Sequence, residues 1–233
     1  MDGVDLNRYR FDYDLTFAAL TMNAAGKIYH RYGGRDASGA ETYLSMPSLL
    51  DVMRATLTAH RSPSPEPPAN RPPPKPRTIR DLEPYNSIKL EGKDRCVHCH
   101  MVHTAQRVEA RAKNTFERRD IWIWPEPARI GVTLDPKDQP RVKGVAPGSA
   151  AARAGLVAGD RLLTVGNTRI ASFTDVQAAL HDVPWSGDKL TARIERSGEP
   201  RTVTLELTEG WREGTPRSFA WRASKWGLQP APG

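Results

Sequence analysis

The stretch Pro147-Gly148-Ser149-Ala150-Ala151-Ala152-Arg153-Ala154-Gly155-Leu156, followed by Gly159-Asp160-Arg161-Leu162-Leu163-Thr164-Val165, constrains the fold more than any other part of this 233-residue chain. Its alanines favour a short helix, and Gly155 can end that helix in the left-handed conformation that costs a glycine nothing. Gly159-Asp160 then turns the chain into a strand that runs to Val165. Strand-forming runs flank this string on both sides, at Arg129–Leu134 and Arg141–Val145 before it and at Leu190–Glu195 and Thr202–Leu207 after it. A helix is expected between them, from Thr174 to His181.

This string and its flanks, residues 128–208, closely resemble a bacterial PDZ domain of the protease-associated kind. The resemblance implies a small, partly open β-barrel capped by two helices. It also implies that a peptide C-terminus adds as an extra strand while backbone amides hold its carboxylate. On that basis Ile130, Gly131 and Val132 would form the carboxylate loop, Thr133 and Leu134 the pairing strand, and Val176 and Leu180 the helix side of the groove. The same apolar residues can equally be core, and for Val132 and Leu180 part of that role is expected. No protease precedes this domain in the chain: residues before 128 contain no Gly-x-Ser-x-Gly and no His-Glu-x-x-His, and are too few for a trypsin-like domain.

Both cysteines of the chain lie in Cys96-Val97-His98-Cys99-His100, the Cys-x-x-Cys-His spacing of c-type haem attachment. Two thiols one helical turn apart can add to the two haem vinyl groups, and His100 can then bind the iron from one face. His103, one turn further, lies on the same side of the ring, so a sixth ligand would come from elsewhere, for example His30 or His181. A zinc site is the alternative, built from Cys96, Cys99, His98 and His103, although a distant second ligand pair is not evident. A redox disulfide is the third reading. After the string, Met101, Ala105, Val108, Ala112 and Phe116 recur at helical spacing.

Residues 1–60 read as strand, turn, strand, loop and helix. Leu15–Met22 and Lys27–Tyr32 are joined by Asn23-Ala24-Ala25-Gly26, and Ser45 can cap a helix carrying Pro47 in its first turn. Leu49, Leu50, Met53 and Leu57 give that helix an apolar stripe. The pattern resembles the C-terminal half of a thioredoxin fold, with Thr16 at the place of the threonine after that family's cis-proline and Leu15 in place of the proline itself. The family's redox cysteines would lie upstream, so no catalytic activity is expected of the chain as given. Residues 61–76 hold eight prolines and read as an extended spacer. The end of the chain carries Trp211, Phe219, Trp221 and Trp226, which predicts that it folds back onto the barrel or the cysteine segment.

The expected organisation is therefore α+β. A partial thioredoxin-like segment (1–60) leads through a Pro-rich linker (61–79) to a short helical Cys-x-x-Cys-His segment (80–127). The PDZ domain (128–208) and a Trp-rich tail (209–233) follow. This order resembles a bacterial family of thioredoxin-plus-PDZ proteins, some of which carry selenocysteine. That likeness implies a full-length thiol or selenol oxidoreductase, a redox partner, and an N-terminus lost upstream of Met1. Haem attachment places the protein in the periplasm or otherwise outside the cytoplasm, although Met1-Asp2-Gly3-Val4-Asp5 does not open a signal peptide. Residues 61–119 carry 13 basic against 7 acidic side chains, so the excess charge surrounds the cysteine string. No basic motif interleaved with aromatics points to nucleic acid, and no apolar run is long enough to span a membrane.

Overall fold

The computed structural model describes residues 1–36, 38–62, 75–83 and 97–214. They form two compact units of mixed α+β structure, one from residues 1–15, 75–83 and 97–120, the other from residues 16–62 and 121–214. Among the described residues no helix is long and apolar enough to cross a membrane.

The second unit begins with an antiparallel hairpin of β1 (Ala18–Met22) and β2 (Ile28–Gly33). Its turn is closed by Asn23, whose Oδ1 accepts the Lys27 amide, and by Gly26 at φ +78°. Helix α1 (Met46–Arg61) follows, capped as expected by the Ser45 hydroxyl, which accepts the Ser48 amide, with proline in its first turn. The stripe is not where periodicity placed it. Ser48, Val52 and Ala59 are buried, while Leu50, Met53 and Leu57 are 41%, 50% and 52% exposed. The Tyr32 hydroxyl sets this rotation: it donates to the Ser45 carbonyl and bonds the Ser48 hydroxyl, drawing a polar residue inward.

In the first unit, Leu6 hydrogen-bonds through its amide to the Arg77 carbonyl, and Thr78 and Asp81 form a reciprocal capping box on a short 3-10 turn, Ile79–Asp81. Helix α2 (Cys99–Ala112) completes it. Its buried face carries Val102, His103, Ala105, Arg107 and Glu109; of the expected row, Ala105 is buried, while Met101, Val108 and Phe116 are half-buried and Ala112 is exposed. Arg77 pairs with Glu109 at 2.7 Å, and Asp14 lies beside His103 and Arg107. Charged partners remote in sequence thus turn polar residues inward, which helical periodicity cannot anticipate.

The rest of the second unit is the barrel. Strand β3 (Val132–Leu134) pairs antiparallel with β4 (Val142–Val145), and helix α3 (Ala150–Arg153) is capped by the Ser149 hydroxyl. Strands β5 (Arg161–Val165), β6 (Thr168–Arg169), β7 (Lys189–Arg196) and β8 (Glu199–Glu206) form a sheet in the order β6-β5-β7-β8, with helix α4 (Phe173–His181) between β6 and β7 in the chain. Leu190, Ala192 and Ile194 of β7 point inward at period two and join the core with Leu162, Val165 and Leu205. Gly155 adopts φ +80° as expected. Asp160 has no exposed surface. Burial by itself would raise its pKa, but hydrogen bonds from the Arg196 guanidinium (2.6 and 2.8 Å) and the Val157 amide outweigh that and hold the carboxyl below its usual range. Of the tail, Trp211 packs against the barrel core and donates Nε1–H to the Pro184 carbonyl. Phe219, Trp221, Trp226 and residues 63–74 of the proline-rich spacer lie outside the described residues.

The hairpin joins the barrel through Asp175, in the first turn of α4. Its carboxylate accepts His30 Nδ1–H at 2.9 Å, the Arg31 amide at 2.8 Å and the Ala171 amide at 3.0 Å, and both His30 and Asp175 are buried. Ser172 caps α4 by accepting the Asp175 amide and donates its hydroxyl to the Arg31 carbonyl. Tyr43 stacks on Phe173 at 4.1 Å, and Gln139 bridges the Tyr43 carbonyl and the Phe173 amide. Asp175→Ala leaves two amides and an imidazole unpaired in the interior. We expect it to destabilise the second unit by about 3 kcal/mol. Urea denaturation followed by indole fluorescence checks this, because all six tryptophans fall after residue 120.

Candidate functional site

The residues expected to form a carboxylate loop and pairing strand do lie together. A 3-10 turn, Pro127–Ile130, ends at Gly131, which adopts φ +86° and ψ 17°. A Cβ at this position would stand 2.1 Å from the Ser149 side chain, so only glycine fits. The Gly131 amide donates to the Ala128 carbonyl at 3.0 Å, and its own carbonyl accepts the Ala146 amide at 2.8 Å. Strand β3 then runs with β4 as its one sheet partner, and among the described residues no strand pairs with its other edge. The sequence placed a continuous strand from Arg129; the αL glycine shortens it to three residues.

Of the expected groove residues, Thr133 is exposed, whereas Ile130, Val132, Leu134, Val176 and Leu180 all join one core cluster. Val176 and Leu180 have no exposed surface, and every residue of α4 from Phe173 to Leu180 is buried. The C-terminal end of this helix is also covered. His181 donates Nδ1–H to the Ile123 carbonyl at 2.6 Å and lies flat on Trp124, the rings 4.0 Å apart and 9° from parallel. Arg212 donates to the His181 carbonyl. Within α4, Thr174 Oγ1 and Gln177 Oε1 are buried without a hydrogen bond.

The cysteine string is divided by the limits of the described residues. Cys96 lies outside them. His98 is the residue before α2, Cys99 opens the helix as a half-buried free thiol, and His100 follows it, exposed. The His98 and His100 rings stack 5.7 Å apart and 11° from parallel. Cys99 and His100 are consecutive on the first helical turn, with the His100 ring lying against that of His98. His103 turns the other way, into the interior. Its Nδ1 lies 3.0 Å from Asp14 Oδ2 and 3.9 Å from Asp12 Oδ1, and the described residues do not bring His98 or Cys99 into that group. Sequence reasoning passed over both aspartates. The Asp12-Tyr13-Asp14 spacing was the available signal, but nothing local ties it to His103, about ninety residues away. His30 is likewise committed to Asp175, not to an iron.

Comparison with known proteins gives the class of the barrel. Residues 141–184 match the family model described as a PDZ domain. Sixty residues are 43% identical to proteins of Brucella suis biovar 1 and Brucella melitensis biotype 1 that bear the name zinc metalloprotease, covering 26% of this chain and 15% of each relative. Seventy residues are 37% identical to the regulator of sigma-E protease RseP of Escherichia coli K12, covering 30% of this chain and 15% of that protein. A crystal structure of the serine endoprotease from Yersinia pestis aligns with a TM-score of 0.35 and 27% identity, over 46% of this chain and 36% of that one. The chain carries a PDZ domain similar to those of proteases, and the matched stretch spans about 15% of the length of the curated relatives.

Gly131→Ala combines a left-handed backbone with a steric clash, and we expect it to cost about 1–3 kcal/mol of stability. Gly148→Ala, at φ +70° with open space around its Cβ, should cost about 1 kcal/mol. Parallel urea titrations of the two variants separate the clash from the conformational penalty.

Proposed function

We propose that this chain is a protein-binding adaptor whose PDZ domain captures a protein C-terminus or an internal strand along β3. The observation that carries this reading is the edge of β3 that no strand pairs with among the described residues, with Thr133 exposed and the left-handed Gly131 immediately before the strand. Main-chain hydrogen bonds along such an edge supply affinity, and alternate side chains supply specificity. Thr174 Oγ1 and Gln177 Oε1 offer further polar partners on α4. Selection from a library of C-terminal peptides, followed by fluorescence polarisation, should yield ligands in the micromolar range. The Gly131 carbonyl and Asp135 amide bond toward β4, so the Leu134 amide faces the open edge; replacing that amide by a backbone ester should weaken the ligands at least about tenfold. Failure to select any ligand, or indifference of the selected ligands to the Leu134 ester, would sink this reading.

A second element of the proposal is a covalently bound c-type haem, with thioethers on Cys96 and Cys99 and His100 on the iron. Its support is the placement of Cys99 and the exposed His100 on the first turn of α2. Haem would supply one-electron transfer toward a redox partner and would set the protein outside the cytoplasm. The hairpin and α1 follow the strand, turn, strand and helix order of a thioredoxin C-terminal half, and neither cysteine of the chain lies within them. In this reading that segment is structural, as in a thioredoxin-plus-PDZ protein. Expressed with a leader and a haem-attachment system, the chain should show one haem in a pyridine haemochrome spectrum, and Cys99→Ser should lower the yield strongly. A colourless protein under those conditions rules the haem out.

A further inference from the structure

The geometry points to a metal site that the cysteine string does not supply: we propose that Asp12, Asp14 and His103 bind one zinc ion. The three side chains offer ligand atoms that lie within 4.8 Å of one another. His103 is 3% exposed and Asp14 6% exposed, and Asp12 is partly accessible at 16% of its side-chain surface. His103 Nδ1 is buried with no hydrogen bond, although Asp14 Oδ2 stands only 3.0 Å away and Asp12 Oδ1 3.9 Å. A buried imidazole nitrogen this close to a carboxylate normally aligns with it as a hydrogen bond. Ligands of a common ion approach one another without that alignment, because each lone pair is directed at the metal. Zinc held at about 2.0–2.1 Å in tetrahedral coordination sets its ligand atoms about 3.3 Å apart. The observed 3.0 and 3.9 Å lie either side of that value.

The surroundings hold the ligands in place. Asp12 Oδ1 also accepts the Asp14 amide at 3.0 Å, which fixes the loop between the two carboxylates. The Tyr13 ring packs edge-on against His103 at 5.3 Å and against Phe11 at 4.5 Å. Its hydroxyl donates to the Tyr9 carbonyl, so Tyr13 packs beside the imidazole and does not ligate. Arg107 Nη2, 3.7 Å from Asp14 Oδ2, is the neighbouring cation on α2. One imidazole with two carboxylates suits zinc better than calcium or magnesium, which prefer oxygen alone. Three protein ligands leave a fourth position for water. The site uses no thiol, so it stands or falls independently of haem, disulfide or peptide binding.

The test uses the full chain, stripped with chelator and titrated with zinc by calorimetry, with X-ray absorption on the loaded protein. One zinc per chain is expected, with nitrogen and oxygen scatterers near about 2.0 Å and no sulfur near about 2.3 Å. Asp14→Asn and His103→Asn should each weaken binding at least about tenfold. The milder Asp12→Asn should do so as well, with circular dichroism unchanged. Cys96→Ser combined with Cys99→Ser should leave binding intact. Absence of stoichiometric zinc, or sulfur ligation lost in the cysteine double variant, would overturn the assignment.

Discussion

A single buried carboxylate organises the larger unit. Asp175 gathers an imidazole and two backbone amides, and it does so from the first turn of α4, where a negative charge is also favoured by the helix terminus. A two-stranded hairpin has too little surface to bury and is marginal by itself. Held by Asp175 and Ser172, and flanked by the Tyr43–Phe173 stack, β2 is docked on α4 rather than left as an appendage. The PDZ domain of this chain therefore has an additional layer: residues 16–62 supply a side chain, Tyr43, that belongs to the same core cluster as Val132 and Leu180.

The smaller unit follows a different logic. Its helix α2 turns His103, Arg107 and Glu109 toward the interior; Arg107 and Glu109 each meet an opposite charge from another part of the chain, and His103 lies beside Asp14. Such interiors depend on satisfied polar contacts more than on apolar area. The exception among the described residues of this unit, the unbonded His103 nitrogen beside two carboxylates, is where a cation would complete the set.

What could be read from the residue order was what local chemistry dictates. Gly155 and Gly159-Asp160 announced a helix stop and a turn, Asn23 and Gly26 a hairpin, and Ser45 with Pro47 a helix start, and each stands where it was expected. These signals act within four residues and need no knowledge of the rest of the fold. The orientation of α1 and α2 was not legible, because Tyr32 and Asp14 decide it through contacts that only the folded chain creates. Gly131 was recognised as part of a loop, but not that its amide would already be taken by Ala128. The cysteine string drew attention to His98, His100 and His103 together, whereas the helix separates them: two histidines at its exposed start, one on its buried face.

The burial of α4 from Phe173 to Leu180 bears on kinetics as well as on architecture. Any side chain that enters between β3 and α4 must part packed groups, since Val176 and Leu180 present no surface to solvent and the Gly131 amide is already engaged. For a ligand of the proposed kind, entry there would wait on a rarer, opened arrangement. The apparent affinity is the intrinsic one reduced by the fraction of molecules in that arrangement, with each tenfold scarcity subtracting about 1.4 kcal/mol. The layer that makes this barrel solid would also make it selective in time, admitting ligands at the rate at which its own interior opens.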